Sequence, residues 1–257
     1  MSEIHATAII AEGARIGDGV KVGPYAVIGA DVEIATGADI RSHVVIDGCT
    51  RIGEGCTIFP FACIGSQTQD LKYKGGHSRV TIGARTTLRE YVTVNSGTHE
   101  GEHTQVGEGC HIMAYCHVAH ACRVGDGVIM ANGATLAGDV LVEDQAVIGG
   151  LSGVHQFCRI GRMCMVGGCT KVVKDLPPFT MVDGNPAAVR GLNLIGLERR
   201  GVSGADRKVL KDAYRLLYRN NLTTQDALVA IKSDLAGGEV LSHLVDFIES
   251  SERGILK

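Results

Sequence analysis

The sequence predicts a mainly β protein: a long chain wound into a stacked coil, followed by a small α-helical domain. Three observations carry this. An aliphatic residue recurs every six positions, from Ile4, Ile10 and Ile16 through to Ile160, Val166 and Val172, and of the 29 positions on that beat only Asp70, Gly76 and Glu100 are not aliphatic. Small or β-branched residues fill the fifth place of the same hexads (Ala8, Ala14, Val20, Ala26, Val32, Ala38), and Gly-Asp-Gly or Gly-Glu-Gly recurs at 17–19, 53–55, 107–109 and 125–127. After residue 190 the beat stops and helical spacing replaces it.

A helix repeats near 3.6 residues and a strand near 2, so neither alone keeps a six-residue beat over 170 positions; a solenoid does. Three hexads per turn give a triangular parallel β-helix with 18 residues per coil and about 4.8 Å between coils. The interior is filled by the aliphatic and small columns. With 4% aromatic residues and no Trp, that interior is made of Ile, Val and Ala. The chain has 257 residues and a net charge of −3, which argues against a nucleic-acid footprint. No signal peptide and no apolar run long enough to span a bilayer is present, giving the expectation of a soluble, cytoplasmic protein without a transmembrane segment.

Taken in order, the hexads run unbroken to Ile64. A polar excursion over 66–79 (Gln67, Thr68, Gln69, Asp70, Leu71, Lys72, Tyr73 and on to His77) then interrupts them, and Ile82 restores the beat in phase. A second excursion over 97–105 holds Thr98, His99, Glu100, Glu102 and His103. Long loops in a compact repeat usually serve a site. The coil stops at Leu176-Pro177-Pro178, since proline cannot donate to a ladder, and Gly184-Asn185-Pro186 reads as a turn. The division expected is therefore a β-helix over 1–190 and a helical domain over 191–257. Within the latter, Ser203 with Asp206 and Thr223 with Asp226 mark two helix starts, and Leu241, Leu244, Val245 and Ile248 give a third apolar face.

Nine cysteines are present, six of them (Cys56, Cys110, Cys116, Cys122, Cys158, Cys164) in the small fifth place. They read as core residues, without disulfides and without a metal, in keeping with a reducing compartment.

A prism three hexads around has no interior room for a ligand, so chemistry belongs outside, in clefts between copies packed side by side. The histidines concentrate at His111, His117 and His120, with His155 further on. Stacking at 18 residues puts Gly138 and then Gln156 above His120, and Asp139 and Phe157 above Ala121. An imidazole beside a bare glycine amide offers a base and an oxyanion donor to one reacting atom.

An ordered set of motifs goes further: Gln69-Asp70-Leu71-Lys72-Tyr73, His117-Val118-Ala119-His120, Asn132-Gly133-Ala134-Thr135-Leu136-Ala137-Gly138, Val154-His155-Gln156-Phe157, Met165-Val166-Gly167-Gly168-Cys169, Gly184-Asn185-Pro186 and Leu197-Glu198-Arg199-Arg200-Gly201. In this order and over the whole chain it resembles the bacterial UDP-N-acetylglucosamine acyltransferases, which take a 3-hydroxyacyl chain from acyl carrier protein and open lipid A synthesis. The resemblance implies a left-handed coil, a homotrimer, UDP-sugar and acyl carrier protein as partners, and no cofactor, the donor arriving on the carrier's phosphopantetheine. It implies that His120 is the general base and the Gly138 amide the oxyanion donor. Gln69, Asp70, Leu71, Lys72, His117 and Gln156 would line the sugar and phosphates, and His155 the donor or acyl chain. Asn193, Arg199 and Arg200 would meet the nucleotide end, and Gly168 would leave the acyl groove open to longer chains. Arg159, Arg162, Lys171 and Lys174 form a cationic run suited to an acidic carrier.

The sequence also departs from that family. Ala121 stands where an Asp often follows the catalytic histidine, Asn95 and Asp139 stand where relatives carry His, and Ile195 replaces an acidic residue. The expectation is that Asp139, one coil above Ala121, supplies the orienting carboxylate to His120. Alternative readings are a hexapeptide acyltransferase that uses an acyl-CoA donor, another sugar nucleotide or a 3-amino acceptor; a trimeric zinc carbonic anhydrase built on the histidines; and a non-catalytic solenoid.

Overall fold

The computed structural model describes residues 1–257, a left-handed parallel β-helix capped by a helical domain. Short parallel strands, most of them two residues long, build three walls. The first begins with Glu3–Ile4 and has eleven strands, the second begins with Ile9–Ile10 and has nine, and the third begins with Arg15–Ile16 and has eight. Each strand pairs with the one 18 residues on, as Glu3 with Lys21. The beat survives its interruptions because the insertions are whole hexads: Thr57 lies opposite Thr87 and Thr87 opposite His111, offsets of 30 and 24 residues.

The second residue of each strand points inward, so Ile28, Ile34, Ile40 and their successors are fully buried in one continuous core. Ile4, in the first coil, is half exposed because nothing stacks beneath it. The six fifth-place cysteines are buried and no disulfide forms. Their thiols donate to carbonyls of the neighbouring coil, as Cys122 does to Ala137 (3.0 Å). Burial raises all six, Cys110 and Cys116 to about 11 and Cys122 and Cys164 to about 12.

The excursions differ slightly from their sequence-predicted limits. The first is flanked by strands Cys63–Ser66 and Arg79–Ile82. The second ends earlier than expected, because His103–Val106 already pairs with Arg79–Ile82. Both leave the same edge of the prism, where the second wall passes to the third.

The first wall ends in an antiparallel pair, Thr180–Asp183 with Ala188–Leu192, so sheet pairing continues past residue 190. Four helices follow: α1 (Leu194–Arg199), α2 (Gly204–Tyr218), α3 (Thr224–Asp234) and α4 (Glu239–Glu249). Ser203 and Thr223 cap α2 and α3 through the amides of Asp206 and Asp226, the capping pattern visible in the sequence. The helices bury a second core against Met163 and Phe179, on the edge between third and first walls. No helix is long and apolar enough to cross a membrane.

One expectation needs correction. Arg159 and Arg162 do not stand free in a cationic patch. Arg159 lies over the Phe247 ring (4.1 Å) and donates to the Ser250 carbonyl (3.1 Å), and Arg162 pairs with Glu239 (3.0 Å). Both clasp α4 and its C-terminal end to the coil, beside a His243–Glu143 contact of 2.8 Å. Lys171 and Lys174 remain exposed and without an ion pair, at the end of the second wall.

Candidate active site

His117 lies on the second wall opposite Thr93 and Thr135, and His120 lies in the turn where that wall meets the third. Because successive turns stack, Gly138 falls directly over His120. A methyl group added to Gly138 would land on the imidazole ring, so only glycine allows this approach. The coils are also joined by backbone: the Asp139 amide donates to the His120 carbonyl (3.0 Å), and the Phe157 amide to that of Gly138 (3.2 Å). The Gly138 amide itself donates to no group in the chain.

The two excursions close on this point. Asp70 forms a local turn in which the Lys72 amide donates to Oδ1 (3.0 Å), and the Thr98 hydroxyl donates to Oδ2 (3.4 Å). Thr68 and Thr98 share a hydrogen bond (3.2 Å), the Thr98 amide donates to Glu102 (2.7 Å) and the His77 amide to Glu100 (2.8 Å). The second loop therefore latches the first, and Asp70 Oδ2 reaches 3.8 Å from His120 Nε2. On the other side of the ring, Asp139 Oδ2 is 3.9 Å from Nδ1. The Lys72 amide holds the Asp70 carboxyl below the usual carboxylate range, whereas burial pushes Asp139 up. Burial also depresses His117, whose Nδ1 shares a 2.7 Å hydrogen bond with Thr93.

The chain thus gathers His117, His120, Gly138, Asp139, Asp70 and Lys72 at one edge, with His155 and Gln156 on the same edge further along. His155 and Gln156 are exposed, as are Gln69 and Leu71 beside Asp70. Other sequence-predicted residues lie elsewhere. Gly168 is on the edge between first and second walls, where a side chain would meet only the Gly150 carbonyl, at 3.4 Å. Asn193 caps α1 through the Gly196 amide and donates to the Met163 carbonyl (3.0 Å), on the edge between third and first walls. Arg199 and Arg200 sit exposed at the end of that helix.

His111 is on the first wall, away from His117 and His120, and no three His, Cys, Asp or Glu side chains converge to hold a metal ion. Sequence reasoning missed the roles of Thr93, Thr68, Thr98 and Glu102. Only Thr93 carried a signal, its wall position opposite His117.

Comparison with known proteins fits this arrangement. Residues 13–48 and 103–138 match the family model for bacterial transferase hexapeptides (six repeats), and residues 175–256 match the second domain of UDP N-acetylglucosamine O-acyltransferase. The chain is 45% identical over 262 residues to the acyl-(acyl-carrier-protein)–UDP-N-acetylglucosamine O-acyltransferase of Paraburkholderia phymatum, covering 100% of both proteins. It is 50% identical over 208 residues to the enzyme of that name from Gloeothece citriformis, covering 81% of this chain and 75% of that protein. Its structure superposes on LpxA from Acinetobacter baumannii with a TM-score of 0.95 at 41% identity, covering 99% of each chain. The chain belongs to the family of acyl-(acyl-carrier-protein)–UDP-N-acetylglucosamine O-acyltransferases.

Proposed function

We propose that this protein transfers a 3-hydroxyacyl chain from acyl carrier protein to the 3-hydroxyl of UDP-N-acetylglucosamine, the first step of lipid A synthesis. The donor and acceptor are those in the names of its relatives. The observation that carries the reading is the stacking of the His120 imidazole on Gly138, with Nε2 turned toward Asp70. A base and an unengaged amide then meet at one point.

Nε2 takes the proton of the sugar hydroxyl as its oxygen attacks the thioester carbon. The new C–O bond places negative charge on the carbonyl oxygen, which accepts from the Gly138 amide. Collapse breaks the C–S bond, and the proton on Nε2 passes to the departing phosphopantetheine sulfur. No cofactor beyond that arm is needed. Asp70 binds the sugar with Gln69, Leu71, His117 and Gln156 around it, Lys72 neutralises the diphosphate, and His155 flanks the donor.

A homotrimer completes the site. Asn193, Arg199 and Arg200 sit on a different edge from His120, so a neighbouring copy brings them to the nucleotide, and the fully exposed Leu71 makes an apolar contact with that neighbour. Gly168 leaves the acyl groove open. Lys171 and Lys174, together with Arg253, whose guanidinium lies 3.5 Å from the Val173 carbonyl, receive the acidic carrier.

The test is mass spectrometry of the product formed from UDP-N-acetylglucosamine and a mixture of hydroxyacylated carrier proteins. An ester at the 3-position, formed from carrier-bound donor, supports the reading. Transfer only from acyl-coenzyme A, or only to a 3-amino sugar, overturns it.

A further inference from the structure

The two ring nitrogens of His120 have unlike surroundings. Nε2 faces Asp70 across the open side of the site. Nδ1 is buried and has no hydrogen-bond partner in the chain. A buried polar nitrogen rarely stays unpaired, so its proton needs an acceptor. The next residue, Ala121, offers only a methyl group, and its amide is already tied to Thr104 Oγ1 (2.9 Å). The carboxylate facing Nδ1 is that of Asp139, with Oδ2 at 3.9 Å.

Ala121 and Asp139 hold the same turn position in consecutive coils, with φ of 55° and 59°. Asp is among the few residues that accept this left-handed backbone. The Asp139 amide bonds the His120 carbonyl at 3.0 Å, which fixes the carboxylate beside the ring. Closing the gap by about 1 Å brings it into hydrogen-bond range, and such contacts commonly tighten when substrate binds.

We infer that Asp139 is the positioning residue of His120: its carboxylate accepts the Nδ1 proton, aims Nε2 at the acceptor hydroxyl and stabilises the imidazolium formed during transfer. The Nδ1 proton stays on the ring throughout, and only the Nε2 proton moves. A carboxylate one coil above the histidine thus does the work that Ala121 cannot. This inference rests on the reading of His120 as the base. Asp70 and Lys72 of the first loop, His99 and Glu102 of the second, and His117 on the second wall also face the pair.

The test compares Asp139→Asn, the double variant Asp139→Asn with Ala121→Asp, and His120→Ala in the full-length protein, with melting temperature as a check on folding. An amide at 139 presents a donor as readily as an acceptor and so permits the wrong tautomer. Asp139→Asn is expected to lower kcat at least about tenfold, part of the 10²–10⁴-fold that general-base catalysis supplies. KM for the sugar nucleotide should not change. Loss of the negative charge makes the imidazolium less stable, so the acid limb of kcat/KM moves to lower pH. Adding Ala121→Asp should recover most of kcat.

If His120→Ala is inactive while Asp139→Asn matches the wild type in kcat and pH profile, the inference about Asp139 fails and the assignment of the base stands. A fall in kcat with no movement of the acid limb and no recovery by Ala121→Asp makes Asp139 merely structural and equally overturns it. Turnover retained in His120→Ala defeats the assignment of the base itself.

Discussion

Asp70 Oδ2 lies 3.8 Å from His120 Nε2, although Asp70 belongs to an excursion that leaves the coil before the strands leading to His120 have formed. The contact exists because Thr98, on the other excursion, donates to Asp70 and shares a hydrogen bond with Thr68. The loop carrying the sugar contacts is thus held by a second loop that itself touches no catalytic atom.

Thr98→Ala should therefore loosen the site without disturbing the coil. Loss of a hydrogen bond of this kind costs about 0.5–1.5 kcal/mol. The expected result is a two- to tenfold rise in KM for UDP-N-acetylglucosamine, on the order that this energy implies, with an unchanged melting temperature. Steady-state kinetics check it.

The Asp70 turn should also respond to acid. The Lys72 amide depresses the Asp70 carboxyl, so the folded value lies below the unfolded one. The stabilisation is complete above the ordinary carboxylate pKa and disappears as pH falls through the lower, folded value. Hydrogen exchange over residues 67–78, corrected for intrinsic rates, should show protection falling in that acid window. In Asp70→Asn, protection should be low and insensitive to pH.

The corrected placement of the cations separates two kinds of charge reversal. Lys171→Glu with Lys174→Glu should raise KM for the acylated carrier, most strongly at low salt, and leave KM for the sugar nucleotide unchanged. Arg162→Glu should instead lower the melting temperature, because it opposes Glu239 and breaks the clasp on α4. Kinetics at two salt concentrations and thermal melts distinguish the two.

Sharing of the site between copies can be tested by complementation. His120→Ala and the double variant Arg199→Ala with Arg200→Ala should each have little activity alone. Co-expressed, they should form mixed trimers in which some sites take His120 from one copy and the arginines from another. Activity should then exceed that of either parent. No gain over the parents would mean that one chain supplies both groups.

The coil was legible in the sequence because a six-residue beat repeated so many times leaves one architecture, and the stacking of Gly138 on His120 followed from the 18-residue coil. The position of Asp70 beside His120 was not derivable from spacing. It depends on hydrogen bonds within and between two irregular loops, and only the resemblance to a family pointed to it. The fate of Arg159 and Arg162 was hidden for a similar reason, since their partners, Ser250 and Glu239, lie in a domain whose docking the hexads do not specify. The fifth-place cysteines were readable as core because their neighbours in the column are Ala and Val.

The central claim is that His120 takes the acceptor proton. Single-turnover transfer from hydroxyacyl carrier protein to UDP-N-acetylglucosamine, measured at pH 7 for wild type and for a folded His120→Ala variant, tests it most directly. The account predicts a loss of about 10²–10⁴-fold in rate. Transfer by the variant within a few-fold of the wild-type rate would contradict it.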